Sequence, residues 1–347
     1  MIAIRPHRLS PLCAFLLAAL LGVFSALTPG RSSVAGAQQS GQEQTQGRNP
    51  QGEDVQKIRV GTQLVNVFFS ATDKENHYLK DLTKNDVIVL ENGRPQEIFT
   101  FRRESNLPLT LAILVDVSNS VRPVIPELTD AGTRFINSVI RPGYDTGAVI
   151  QFDSEATVIQ DLTSNPARLR RGLEEIRRTA APGRRSHGAT MPPFPGGQGG
   201  TSIYDSIIAT CGDLLTEQPG RRTIILFTDG YDTTSMKKRS AAVDEALRAE
   251  VVIYAIGIGD PSEDGVDKGE LKKLCEPTGG RAFIPRDAAD LSRAFAELEE
   301  DLRQQYLLAY EPANVAADGK FRKIEVRIPG HKELRIRHRR GYYAPKT

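Results

Sequence analysis

The chain has 347 residues, of which 39% are hydrophobic and 25% charged, with 45 basic and 43 acidic side chains. That length allows one sizeable core and a smaller module, and the composition is that of an ordinary globular protein. A balance this close to neutral excludes a global electrostatic attraction to nucleic acid or to an anionic membrane.

Arg5 and Arg8 precede an apolar stretch from Leu12 to Leu27, and Val34-Ala35-Gly36-Ala37 offers small residues for cleavage. Residues 1–37 read as a secretory signal peptide; an uncleaved anchor is disfavoured because the stretch is short for a membrane span. The expected location is the periplasm or the outside, with no membrane insertion after cleavage. Cys13 lies at the head of the apolar stretch rather than at its end, which argues against lipoprotein processing. Cleavage leaves 42 basic against 43 acidic residues and two cysteines, Cys211 and Cys275. Both fall on predicted helices beside apolar neighbours, where an unpaired buried thiol is expected even in an exported protein.

Residues 38–57, rich in Gln, Gly, Asn and Glu without apolar period, read as a disordered linker. In 58–106, Leu64–Phe69, Val87–Leu90 and Ile98–Phe101 are strand-like, and Glu91-Asn92-Gly93-Arg94 is a hairpin turn between the last two. From 107 to 302 strands and helices alternate. The strands are Leu111–Val115, the pair Gly147–Phe152 and Thr157–Asp161, Thr223–Phe227, Val251–Gly257 and Ala282–Ile284. Helices are expected over Ile125–Ile140, Pro166–Arg178, Thr201 to about Leu215, Ser240–Ala249, around Leu271, and Ala288–Arg303. That order predicts a doubly wound, Rossmann-like α/β sheet. In 303–347 the texture returns to β, with Gln305–Tyr310, Phe321–Ile328 and Glu333–Arg339 and a turn at Asp318-Gly319. Neither β segment is large enough to bury a core alone, so the two are expected to join in one β-sandwich carrying the α/β domain as an insertion.

The chemistry concentrates at three strand ends and loops. Asp116-Val117-Ser118-Asn119-Ser120 follows the apolar run Leu111–Val115, Thr228-Asp229-Gly230 follows Thr223–Phe227, and Gly199-Gly200-Thr201 opens a helix. Buried parallel strands end at the sheet edge where open α/β folds bind ligands. Hydroxyls and carboxylates are hard oxygen donors that suit Mg²⁺ far better than zinc or copper, with Mn²⁺ possible according to supply. This pattern, D-x-S-x-S, then T in a G-G-T loop, then T-D-G, resembles the metal-ion-dependent adhesion site of von Willebrand factor type A domains. It covers roughly Leu109 to Asp301, and the chain is similar to a secreted bacterial subfamily with β flanks and a terminal Arg-Gly-Tyr-Tyr. The resemblance implies Asp116, Ser118, Ser120, Thr201 and Asp229 as the metal set, with hydroxyls contacting the ion and the aspartates acting largely through water. It also implies one open coordination position, filled by an Asp or Glu of a partner protein.

Asp116-x-Ser118-x-Ser120 alone can cap a helix, and Thr228-Asp229-Gly230 alone is a common turn, but three such elements in order are not explained that way. A hydrolase would need a base beside Ser118 or Ser120; His187 lies in a Gly/Pro-rich loop, and no G-x-S-x-G elbow is present. The connection 181–200, with Arg184 and Arg185, is long enough to rim the metal face, where the two arginines favour an acidic partner; a tolerated surface insertion is the alternative. Arg335, Arg337, Arg339 and Arg340 alternate with apolar residues and read as a strand with one charged face, not a nucleic-acid patch. Asp232 is either an acceptor behind the metal ligands or a turn residue. The function expected is an exported, Mg²⁺-dependent protein-binding module without catalysis. A structural subunit of an envelope assembly, its metal site closed by the chain itself, is the alternative, and a hydrolase the third.

Overall fold

The computed structural model describes residues 64–104, 107–180, 200–259, 265–331 and 333–346. The expected signal and linker, and Arg184, Arg185 and His187, lie outside the described residues. In chain order, β1 (Val65–Thr72), β2 (Ile88–Glu91), β3 (Arg94–Gln96) and β4 (Ile98–Glu104) come first. The alternating region comprises β5 (Leu109–Asp116), α1 (Ile125–Val139), β6 (Thr146–Phe152), β7 (Ala156–Thr163), α2 (Pro166–Ala180), α3 (Ile203–Ala209), β8 (Arg221–Thr228), α4 (Arg239–Arg248), β9 (Val251–Gly257), α5 (Lys268–Cys275), β10 (Ala282–Phe283) and α6 (Ala288–Arg303). The chain closes with β11 (Gln305–Tyr310), β12 (Phe321–Arg327), β13 (Arg335–His338) and β14 (Gly341–Tyr343).

The six-stranded sheet runs β10-β9-β8-β5-β6-β7, parallel except for β7 at one edge. Every residue of β5 is buried, as a strand covered on both faces requires, which is why its sequence is a continuous apolar run. Its side chains alternate between two cores. Leu111, Ile113 and Val115 pack with α1, α2 and α6, whereas Ala112 and Leu114 pack with α3, α4 and α5. The amphipathic α1 turns Leu128, Phe135 and Ile136 inward, and Phe295 of α6 lies between Phe135 and Phe227, with ring centroids 5.2 and 5.7 Å away. Cys211 and Cys275 are both buried and free.

One helix departs from expectation. The segment read as a single helix from Thr201 begins at Ile203, and Thr210–Leu215 is a π-turn. There the Cys211 carbonyl accepts from both Thr216 N at 3.0 Å and Thr216 Oγ1 at 2.7 Å, so the side chain supports the widened turn.

The flanking segments interleave in two four-stranded sheets, β13-β1-β11-β4 and β14-β12-β2-β3. One core spans both, with Val67, Phe69, Val89, Leu308, Tyr310, Ile324 and Val326 among its residues. Tyr306 stacks between Phe69 and Phe101 at 5.3 and 5.4 Å. The hairpin turn is where the sequence puts it, with Asn92 and Gly93 at φ of 49° and 80°, the left-handed pair that a two-residue turn demands. Its second strand, however, is β3, not Ile98–Phe101, which crosses to the other sheet and pairs with β11. Pro95 lacks the N–H for a ladder on both sides, in keeping with the place of β3 at an edge.

The α/β domain leaves and rejoins the sandwich at neighbouring strands, since Glu104 at the end of β4 pairs with Gln305 at the start of β11. Buried Asp301 near the end of α6 accepts from Arg281 Nε at 2.5 Å and from Tyr78 Oη, tying the last helix to the loop after β1. At the start of β5, the Asp145 carboxylate accepts from Leu109 N at 2.8 Å and from Arg141 Nε at 2.7 Å. The arginine strand is only partly as expected: Arg339, 9% exposed, turns inward and donates to Glu250 at 2.9 Å and to the Asn66 carbonyl at 2.6 Å. Tyr342 donates to Glu91 at 2.9 Å, and Tyr343 lies under Arg248.

Because β11 and β12 supply ladder partners of β1, β2 and β4, removing residues 304–347 should leave 64–104 with the β2–β3 hairpin as its remaining strand pair. Limited proteolysis with mass spectrometry is expected to show rapid loss of that segment, and its survival intact would contradict a shared sandwich.

Candidate metal centre

Parallel pairing in register, with Val115 opposite Phe227, brings the ends of β5 and β8 out side by side at the C-terminal edge of the sheet. Asp116 is fully buried there. Its Oδ1 accepts from Ser118 N at 2.9 Å, and its Oδ2 accepts from Thr228 Oγ1 at 2.6 Å. Gly230 N donates in turn to Thr228 Oγ1 at 3.2 Å, so the T-D-G sequence braces the aspartate of the neighbouring strand. Gly230 sits at φ +92°, and an added Cβ would lie 3.1 Å from the Asp267 carbonyl, so this turn requires glycine.

The serine loop closes over the strand ends. Val117 N donates to the Phe152 carbonyl at 2.9 Å, and Val121 N and Arg122 N both donate to the Ser118 carbonyl at 3.1 Å. Spaced two apart, Ser118 and Ser120 have their hydroxyl oxygens 3.2 Å from each other, and Ser120 Oγ donates to Asp229 Oδ2 at 2.5 Å. Tyr231 N holds the other carboxylate oxygen at 3.0 Å. Ser118, Ser120 and Asp229 thus form one string of oxygens, joined to Asp116 through the Ser118 backbone.

Thr201 is placed by different means. Ser202 N donates to the Asp153 carbonyl just past β6 at 2.7 Å, while Thr201 N donates to Thr233 Oγ1 at 2.8 Å. The Thr201 carbonyl accepts from Thr233 N and Thr234 N at 2.9 and 3.1 Å. Thr201 is therefore anchored on the loop that follows Asp229, and among the described residues no hydrogen bond joins it to the other four. Asp232 proves to be a turn and helix-end residue: it accepts from Ser235 Oγ at 2.6 Å and from Tyr204 N in the first turn of α3 at 3.2 Å. Thr228 belongs to the T-D-G motif but is not among the expected ligands, and Thr233 lies outside the motif; they brace Asp116 and Thr201 by hydrogen bonds.

Burial pushes the Asp116 carboxyl up to about 6, against the opposing bonds from Thr228 and Ser118, and the Asp229 charge pushes the same way as burial. A divalent cation among these oxygens favours the ionised form of both carboxylates. Among the described residues no group of three or more His, Cys, Asp and Glu side chains has the spacing to hold a metal. The donor set here is instead hydroxyl and carboxylate oxygen, of the kind a small hard cation takes, and Asp116, Ser118, Ser120, Thr201 and Asp229 are the residues that would hold one.

The family model of the von Willebrand factor type A domain matches residues 110–297, more than half of the chain. A UPF0353 protein of Mycolicibacterium paratuberculosis is 22% identical over 224 residues, covering 56% of this chain and 62% of that protein. A UPF0353 protein of Mycobacterium avium is 26% identical over 216 residues, covering 55% and 59%. The chain thus spans less than two thirds of the length of either relative. Among solved structures, a von Willebrand factor type A protein of Catenulispora acidiphila aligns at TM-score 0.46 and 14% identity over 84% of this chain and 76% of that one. Proximal thread matrix protein 1 of the mussel byssus, with a zinc-occupied MIDAS motif, aligns at 0.45 and 20% over 61% and 49%. The manganese-loaded TRAP protein of Plasmodium vivax aligns at 0.42 and 17% over 72% and 97%.

Mg²⁺ at about 100 times its dissociation constant should stabilise the protein by roughly 2.7 kcal/mol, a rise of roughly 5 to 10 °C in the unfolding midpoint relative to EDTA. Asp116→Ala should abolish that rise and Thr228→Val should reduce it. An equal rise in all three proteins would put the cation elsewhere.

Proposed function

The chain belongs to the von Willebrand factor type A domain family, and we propose that it is an exported, Mg²⁺-dependent protein-binding module whose metal site is completed by an Asp or Glu of a partner. Its chemistry in this reading is recognition, without turnover. The observation that carries it is the convergence of Ser118, Ser120 and Asp229 at the sheet edge, with hydroxyls where a closed site would use further carboxylates. Neutral hydroxyls leave most of the cation's charge available to an incoming acid, which fits an adhesive role better than a purely structural one.

The connection 181–199 contains Arg184 and Arg185 and no acidic residue, so it supplies no carboxylate to occupy an open metal position. In this reading the two arginines flank the contact and favour the acidic partner. Mn²⁺ fits the same oxygens as Mg²⁺, and supply decides between them. Export rests on residues 1–37; among the described residues no helix is long and apolar enough to cross a membrane. A near-neutral chain gives nucleic acid no electrostatic hold.

Water-proton relaxation on the Mn²⁺-loaded full chain tests the open position. A rapidly exchanging water bound to the ion is expected, displaced by a peptide carrying one glutamate but not by its glutamine counterpart. Replacing Arg184 and Arg185 with Ala should weaken the peptide and leave Mn²⁺ affinity unchanged. A loaded protein without exchangeable water would favour the structural subunit with a closed site.

A further inference from the structure

A cleft of about 700 Å³ separates the α/β domain from the sandwich. It lies at the N-terminal edge of β8, away from the metal centre, and its walls carry Arg222, Arg248, Arg322 and Arg339 with Glu250 as their one carboxylate. Arg322, 3% exposed, is compensated by Glu91 at 3.6 Å and Asp318 at 3.7 Å, neither of which lines the cleft. Arg339 and Arg222 share Glu250, at 2.9 and 3.8 Å. Arg248 lies 3.6 Å from the centroid of the Tyr343 ring, and among the described residues no ion pair engages it.

Among the described residues the buried Nε atoms of Arg222 and Arg339 have no hydrogen-bond partner. Those two N–H groups are shut off from solvent, so a ligand would meet the field of the guanidiniums and not these donors directly. Glu250 has φ of +53°, the left-handed conformation that glycine usually takes after a helix. The chain accepts that strain where the Glu250 carboxylate reaches both guanidiniums, and one carboxylate still leaves the cleft with an excess of positive charge. We infer that this interdomain cleft is a binding site for an oxyanion, a carboxylate or phosphate group on a small molecule or short peptide. A single ion would fill little of the volume, which is in the range of small-molecule sites. Arg248, exposed and cushioned on Tyr343, is a lining cation that no ion pair engages among the described residues.

Calorimetric titration of the full chain, freed of divalent cations on a chelating resin and held at low ionic strength without soluble chelator, with inorganic phosphate and with tetraglutamate as probes, tests this assignment. The metal centre is then empty, so the outcome is separate from that of the adhesion reading. One probe should bind at one equivalent. Arg248→Gln should weaken it and Glu250→Gln tighten it, each roughly fivefold, as a unit charge several ångströms away dictates. Opposite signs cannot come from a general loosening of the junction, which would weaken both. Preference for phosphate or for the peptide identifies the source of the oxyanion. No binding by about 10 mM of either probe, or equal or same-direction changes in the two variants, would overturn the assignment.

Discussion

Parallel hydrogen bonding between β5 and β8 is the constraint from which the rest of the metal centre follows. Parallel strands deliver their C-terminal ends to the same edge, and the observed register places Asp116 beside Thr228. A slip of one residue would turn Asp116 to the opposite face of the sheet and separate it from the Thr228 hydroxyl. Two cores guard that register. Leu111, Ile113 and Val115 belong to one face and Ala112 and Leu114 to the other, so a slip would exchange large side chains for small ones in both layers. The precision of a few oxygens at the edge is thus underwritten by apolar packing well below them.

The same economy governs how the domain is mounted. Its chain leaves β4 and returns to β11, two strands that are themselves hydrogen-bonded, so the sandwich fixes the spacing of both ends without a long linker. Asp301 adds a second tie between α6 and the loop after β1. Fully buried and hydrogen-bonded to both Arg281 and Tyr78, it is the kind of ionic group whose loss of a single partner costs several kcal/mol, about 3–5 in typical cases. A tie of this sort specifies orientation more than it adds stability.

Much of this was legible in the sequence because its causes are local or periodic. Continuous apolar runs gave away the parallel strands, Asn92-Gly93 announced its hairpin, and the order of three hydroxyl and carboxylate motifs named the candidate ligands. What stayed hidden depends on neighbours distant in the chain. The crossing of Ile98–Glu104 into the second sheet is decided by pairing with β11, some two hundred residues later. Arg339 reads like its exposed neighbours, yet Glu250 and the Asn66 carbonyl draw it inward. The π-turn at Thr210–Leu215 rests on one side-chain bond from Thr216, which no periodicity encodes. The bracing roles of Thr228, itself part of the T-D-G motif, and of Thr233 are hidden for the same reason: each bonds a residue that only the fold brings near.

Strand β8 carries Arg222 near one end and Thr228 at the other, so the cleft and the metal centre lie on opposite edges of one sheet. Six residues of strand separate them by roughly 20 Å, well beyond the screening length of about 8 Å at physiological ionic strength. Direct electrostatic influence between an oxyanion in the cleft and a cation at the edge is therefore weak. Mechanical influence would have to pass along a strand whose interior is buried. Coupling between sites needs an element that both can bias, and the β8–α4 loop is tied to the metal side, where Thr233 holds Thr201. The proposed cleft and the candidate metal centre thus stand at opposite ends of one buried strand, too far apart for direct electrostatic coupling.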